Sequence, residues 1–222
     1  MSAAKSAFKL TIGYKILMAL TGIILIGFLI AHLTANLLVF VGPESLNAYG
    51  IKLREYPVLL WIARGVLILS AILHIYAGIK LSLINKQARL INYKAPKQTE
   101  STLASRTMLV SGCVVLFFLL YHLAHFTFKW THHEMFAFLD EHDVYSMVVM
   151  SFKSPWVAGF YCIAMVLLMS HLYHGVRSFF QTLGINHPKY NRIIQCIGPV
   201  LSILLTLGFL SIPISVFLRL VE

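Results

Sequence analysis

The sequence predicts an all-α integral membrane protein: five transmembrane helices bundled into one domain, with the N-terminus in the cytoplasm. Three observations lead there. Hydrophobic residues make up 59% of the chain and charged residues 12%, where soluble domains carry about 25% charged residues. Apolar runs long enough to cross a hydrocarbon core of roughly 30 Å recur along the whole length. The basic residues, finally, are distributed unevenly between the two sets of connections.

The runs fall at 14–41, 57–84, 106–130, 155–180 and 195–218. The first is too long, and lacks the small-residue cleavage site, to be a removable signal peptide. Pro57 and Pro155 stand where the second and fourth spans begin; proline is tolerated there because the first N–H groups of a helix have no intrahelical partner. Pro199 and Pro213 interrupt the fifth span, and neighbouring helices let a membrane helix accept them. No low-complexity tract and no strong internal repeat stands out, although the histidines are placed with a rhythm.

The net charge of +10 is a topology signal. Lys5, Lys9, Lys15, Lys80, Lys86, Arg89, Lys94, Lys97, Arg106, Arg177, Lys189 and Arg192 share one side, with Glu100 as its acid. The other side sets Lys52, Arg54, Lys129, Lys153 and Arg219 against seven acids, among them Asp140, Glu141 and Asp143. By the positive-inside rule the first side is cytoplasmic and the C-terminus lies outside. That distribution argues against a nucleic-acid partner and allows the basic face to dock a cytoplasmic protein. Cys113, Cys162 and Cys196 all lie in spans without paired spacing, and read as small core residues.

Ten histidines are present, and His32, His74, His122, His125, His171 and His174 lie within the spans. Ionisable groups at membrane depth are functional by default, and each needs a partner. Helix rise places His32 and His122 roughly 12–14 Å in from the outer boundary, and His74 and His171 at a similar depth from the inner one. Four helices thus supply one histidine each, in two pairs at two depths. Facing histidines hold a six-coordinate haem, one imidazole nitrogen on each side of the iron, with the second ring nitrogen hydrogen-bonded elsewhere. The pattern favours two b-type haems. Three alternatives stay open: histidines that only hydrogen-bond neighbouring helices, a zinc site, which wants four ligands at one point, and a membrane di-iron hydroxylase, whose histidine boxes cluster on the cytoplasmic side. The "THH" run of Thr131, His132 and His133 falls on the outer side.

Several stretches resemble one family. "GFLIAHLTANL" in the first span, "LHIYAGIKL" in the second, "YHLAHF" in the third, "DVYSMVVMSFKSPWVAGFY" leading into the fourth and "SHLYHGVRSFFQTLGINHPKYNR" after it resemble the di-haem cytochrome b membrane subunit of bacterial succinate dehydrogenases and fumarate reductases, the type coupled to menaquinone. The resemblance covers nearly the whole chain. It implies haem ligation by His32 with His122 (outer haem) and His74 with His171 (inner haem). It also implies a location in the bacterial cytoplasmic membrane, and two partners on the cytoplasmic face: a flavoprotein with covalent FAD and an iron–sulfur subunit. Electrons would pass between succinate or fumarate, the clusters, the haems and menaquinone; the chain alone would not be an enzyme. One diverged member of the family places a carboxylate near the outer haem for quinone chemistry, for which Glu44 and Glu55 are candidates here. It places another in the fourth helix for proton movement; that position is Met169 here. Other membrane oxidoreductases with cytochrome b subunits, of hydrogenase or formate dehydrogenase type, and a haem-free metal or proton transporter are the competing functions.

Four further side chains are candidates for contacts around these sites. His125 and His174 each follow a ligand at i+3, and would meet propionates, quinone or water at a helix end. Arg64, inside the second span near the outer haem's level, is expected to pair with a propionate, a carboxylate or loop carbonyls. Arg177 is expected to meet the inner propionates or a lipid phosphate. His132, His133 and His142 are expected in the outer loop, solvated or near a quinone exit.

Overall fold

The structure is a computed structural model that describes residues 2–87, 108–185 and 189–222, with side chains from residue 11 onward. Among the described residues all regular structure is helical. The long helices are α1 (Ser2–Asn36), α3 (Pro57–Gln87), α4 (Met108–His122), α7 (Pro155–Thr182) and α8 (Asn191–Phe217). Each contributes an apolar stretch long enough to cross a membrane. The expected start of the third span at Arg106 lies outside the described residues, as do Arg89, Lys94, Lys97, Glu100 and His187.

Two ends differ from the sequence expectation. The first span closes in a 3₁₀ turn, Leu37–Phe40. The third, expected to run straight to Trp130, leaves α geometry at His122 and continues as a π turn, Leu123–Thr127. There Phe128 N–H donates to Leu123 O at 2.8 Å and Trp130 N–H to Ala124 O at 2.8 Å, each skipping residues that an α-helix would have paired.

Helices α1 and α3 pack as one antiparallel pair and α4 and α7 as a second, with α8 against α7 and α1. The close approach of α8 needs Gly208, where an added Cβ would sit 2.6 Å from Leu33 Cδ2; small residues play this part between membrane helices, where burial supplies little driving force. Most large apolar side chains outside these contacts are exposed, Phe117, Ile163 and Val200 among them, and such a surface is stable only in lipid.

Three shorter helices, α2 (Pro43–Arg54), α5 (His133–Phe136) and α6 (Val144–Lys153), cap one end of the bundle. We call this the outer end, following the topology expected from charge. The apolar face of α6 (Val148, Val149, Phe152) packs with Val39, Leu46, Val157, Tyr161, Ile212 and Val216 into a core beneath the cap. Asp143 caps α6, its Oδ1 accepting from Ser146 N–H at 3.0 Å and from the Asn47 side-chain amide at 3.0 Å. Asn47 Oδ1 accepts in turn from Tyr145 N–H at 2.9 Å, so α2 and α6 are tied through one carboxylate. Burial alone would raise the Asp143 carboxyl, but its bonds from Ser146 and Asn47 outweigh it and hold the group below the usual carboxylate range.

Replacing Asp143 with alanine is expected to cost about 1 kcal/mol at neutral pH, the usual value of an N-cap. A carboxylate with a depressed folded pKa stabilises above its unfolded value, so the deficit should shrink as pH falls below about 4. Thermal unfolding in detergent, followed across pH, checks both.

Candidate functional site

The four layer-forming histidines meet in pairs. His32 on α1 and His122 on α4 have ring centroids 5.9 Å apart, at 90°. His74 on α3 and His171 on α7 lie 6.5 Å apart, at 66°. Each of the four helices gives one ring, and the pairs are those expected from depth. Eleven positions separate Thr21, beside His74, from His32, and Ser111, beside His171, from His122. At about 1.5 Å per residue the two layers are therefore roughly 16 Å apart along the bundle.

Hydrogen bonds fix the chemistry of the inner rings. His74 Nδ1 lies 3.1 Å from Thr21 Oγ1, and His171 Nδ1 lies 3.2 Å from Ser111 Oγ. Both hydroxyls already donate to carbonyls on their own helix: Thr21 to Leu17 O at 2.7 Å and Ser111 to Met108 O at 3.0 Å. A carbonyl only accepts, so the single hydroxyl hydrogen is committed there, and each oxygen must accept from the imidazole. Both rings thus carry their proton on Nδ1 and keep a lone pair on Nε2. Glycine follows each hydroxyl residue, and a Cβ on Gly22 or Gly112 would lie 3.5 Å from Cε1 of His74 or His171. Each imidazole is seated on a glycine and held by the hydroxyl before it.

These contacts expose a repeat that the sequence reading missed. Thr21-Gly22 precedes His32 with the spacing by which Ser111-Gly112 precedes His122, and "HIYAGIK" at His74 aligns with "HLYHGVR" at His171. The α1–α3 pair and the α4–α7 pair are two copies of one unit, each seating the inner histidine of its second helix on the Gly of its first. The signal was a shared Thr/Ser-Gly step and an H-x-Y-x-G-x-K/R frame.

The outer pair has a different environment. His32 stacks on Phe28 at 5.2 Å and 23°, with Phe209 at 6.1 Å. His122 Nδ1 lies 3.4 Å from the Tyr161 hydroxyl, and Phe118 packs on its ring at 5.7 Å.

The two pairs fit bis-imidazole coordination. Metal–imidazole bonds of about 2.0–2.1 Å, with the nitrogen about 1.1 Å from the centre of a ring built from bonds near 1.33 Å, put the centroids of two coaxial ligands roughly 6.3 Å apart. The observed 5.9 and 6.5 Å bracket that value. Ligating histidines also give their other N–H to a fixed acceptor, as Thr21 and Ser111 provide. Among the described residues no three of His, Cys, Asp and Glu converge, so the rings meet two by two and not as a tetrahedral zinc site.

The remaining candidates are placed as follows. His125 meets no water: it is 0% exposed, because the π turn directs it into the bundle, where Tyr161 and Ser151 bind its two nitrogens. His174 is half-buried on α7 and Arg177 lies one turn beyond it, without a hydrogen bond or ion pair to either side chain among the described residues. Arg64 is exposed, with its guanidinium 5.0 Å over the Trp61 ring. It lines an outer cavity of about 170 Å³ together with Arg54, Lys129, Glu141 and Asp143. Glu44 and Glu55 are exposed on and just after α2, and neither lines that cavity; its carboxylates are Glu141 and Asp143. Met169 lies on α7 two residues before His171. In the outer loop His132 and His133 are exposed, and Asp140 accepts from His142 N–H at 2.7 Å. Cys113, Cys162 and Cys196 are unpaired thiols.

Loss of either inner acceptor should be felt directly. Ser111→Ala and Thr21→Val each leave an Nδ1–H without a partner, at about 1–3 kcal/mol, whereas Ser111→Thr and Thr21→Ser should be nearly neutral; unfolding of the purified variants in detergent reads the difference. Comparison of the chain with protein-family models, with curated proteins and with solved structures returned no match.

Proposed function

We propose that this chain is a di-haem cytochrome b, the membrane subunit that carries electrons between an iron–sulfur partner and menaquinone in a succinate dehydrogenase or fumarate reductase. The observation that carries the reading is the pair of ring separations, 5.9 and 6.5 Å, in two layers of one bundle. Two histidine pairs, one in each layer, at the separation that bis-imidazole ligation calls for support a six-coordinate group in each. The family assignment rests on the sequence resemblance.

In this reading His32 and His122 hold the outer haem and His74 and His171 the inner one. Bound there, each haem supplies a carrier for one electron at a time. The chain's own residues do the rest. Thr21 and Ser111 hold the inner rings in the Nδ1–H tautomer, leaving Nε2 to ligate. Gly22 and Gly112 leave room for the imidazole edges. Met165, Leu168, Leu172 and Leu205 form a dry core along α7 and α8 that keeps water from the space between the layers. At the outer end Arg54, Arg64 and Lys129 give the cavity a basic wall suited to an anionic or carbonyl-bearing group, such as a propionate or a quinone head. The basic face, with the N-terminus, would be cytoplasmic and would dock the iron–sulfur and flavoprotein subunits, in a bacterial cytoplasmic membrane.

Substitution of the four ligands should separate them into two classes. His32→Ala and His122→Ala should each lose the outer haem, and His74→Ala and His171→Ala the inner one, each halving the α-band of the reduced-minus-oxidised spectrum. His174→Ala should leave the band intact. Loss of haem from the His174 variant, or full retention in any of the four, sinks the assignment. Co-purification with an FAD-bearing protein that reduces fumarate separates succinate chemistry from hydrogenase or formate dehydrogenase complexes.

A further inference from the structure

Beyond His122 runs a line of hydrogen bonds whose direction is dictated from its far end. Ser151 Oγ lies 2.6 Å from Met147 O. A carbonyl only accepts, so the serine hydrogen is committed there. Ser151 Oγ is also 3.2 Å from His125 Nε2 and must therefore accept, which puts a proton on that nitrogen. His125 is fully buried, with no carboxylate against it among the described residues, so the ring is neutral and carries one N–H only. Its Nδ1 is then a lone pair, and the Tyr161 hydroxyl 3.1 Å away donates to it. Having given up its only hydrogen, Tyr161 accepts from His122 Nδ1 at 3.4 Å. The last ring in the line thus carries its proton on Nδ1 and a bare lone pair on Nε2.

The backbone around His125 is shaped for this. A π turn inside a helix costs hydrogen-bond geometry and is retained at functional positions. Lys129 and His132, just beyond it, are held at φ 53° and φ 58°, a region that costs non-glycine residues energy. Together these features bury His125 against Phe126 at 4.2 Å and Phe136 at 5.6 Å, with the exposed His132 ring 5.1 Å away over the same site. In the first copy of the repeat unit Ala35 stands where His125 stands in the second, and among the described residues no such line of hydrogen bonds surrounds His174. The inner rings need one hydroxyl each, whereas the outer ring is served by a phenol backed by an imidazole.

We propose that Tyr161, His125 and Ser151 are positioning residues for the outer site: as one unit they fix the tautomer and orientation of His122, so that His122 ligates and His125, three residues on, does not. In its redox form the proposal rests on the haem reading above; in its tautomer form it does not.

Removing the acceptor of a ligand's second N–H makes that imidazole a weaker donor to the iron, which favours the reduced state. Tyr161→Phe in the purified protein is therefore expected to keep both haems, to raise the midpoint potential of the outer haem and to leave the inner one unchanged. His125→Leu should move the outer potential the same way. The double variant should move it no further than the larger single shift, because the two residues act in series. Ser151→Ala, which leaves the Tyr161 side chain intact, should give a smaller shift of the same sign that Ser151→Thr reverses, and it serves if Tyr161→Phe does not fold. An unmoved outer potential with both haems bound, equal shifts of both haems, or additive shifts in the double variant would overturn the proposal. The ring-nitrogen ¹⁵N shifts of the haem-free protein, labelled on histidine and assigned by substitution, give an independent reading. They should show Nδ1–H at His122 and Nε2–H at His125, with His122 turning to a tautomer mixture in Tyr161→Phe. The opposite protonation at either ring refutes the proposal even if the wild-type chain binds no haem, an outcome that would by itself defeat only the haem reading.

Discussion

A neutral imidazole has one N–H and one lone pair, and hydrocarbon satisfies neither. A ring placed inside this bundle therefore gains from a partner on another helix, and among the described residues His74, His122, His125 and His171 each have one. Two hydroxyls already bonded to their own helix carbonyls accept from the inner rings. Each hydroxyl thereby links a backbone group on one helix to a side chain on its neighbour, and settles both the tautomer of the ring and the register of the helix pair. Sliding α3 one residue along α1 would leave the His74 Nδ1–H facing apolar side chains.

Because α1–α3 and α4–α7 repeat the same device, the arrangement has a near-symmetry that the outer end breaks. The inner layer is built from two equivalent seats. The outer layer combines an aromatic seat at His32 with the Tyr161–His125 line at His122, under a cap of short helices that holds a charged cavity. Under the proposed reading, these unequal surroundings would give the two haems different potentials. The polar, loop-bearing end would then be the place for exchange with a membrane-borne substrate, and the inner layer a conduit.

Much of this was legible before any coordinates. Apolar runs announce the spans because hydropathy depends on composition alone, and the two histidine layers follow because helix rise is fixed. What escaped depends on contacts. Thr21 and Ser111 are inconspicuous, since hydroxyl residues commonly bond back to their own helix; only their second bond, to an imidazole, gives them a role. The repeat went unnoticed because its matching positions are few and spread over two helices per copy. His125 reads as a helix-end residue if the helix is regular, and nothing in "YHLAHF" marks the π turn that buries it. Glu44 and Glu55 are candidates by their position in the first loop, whereas that Glu141 and Asp143 line the outer cavity depends on how the cap folds.

Each histidine pair is proposed to hold one low-spin haem. The most direct test is the haem-to-protein ratio of the purified chain, with the iron spin state read at low temperature. Two b haems per 25.0 kDa chain, both low-spin as two axial imidazoles require, is the predicted result. One haem, none, or a high-spin five-coordinate iron would contradict it.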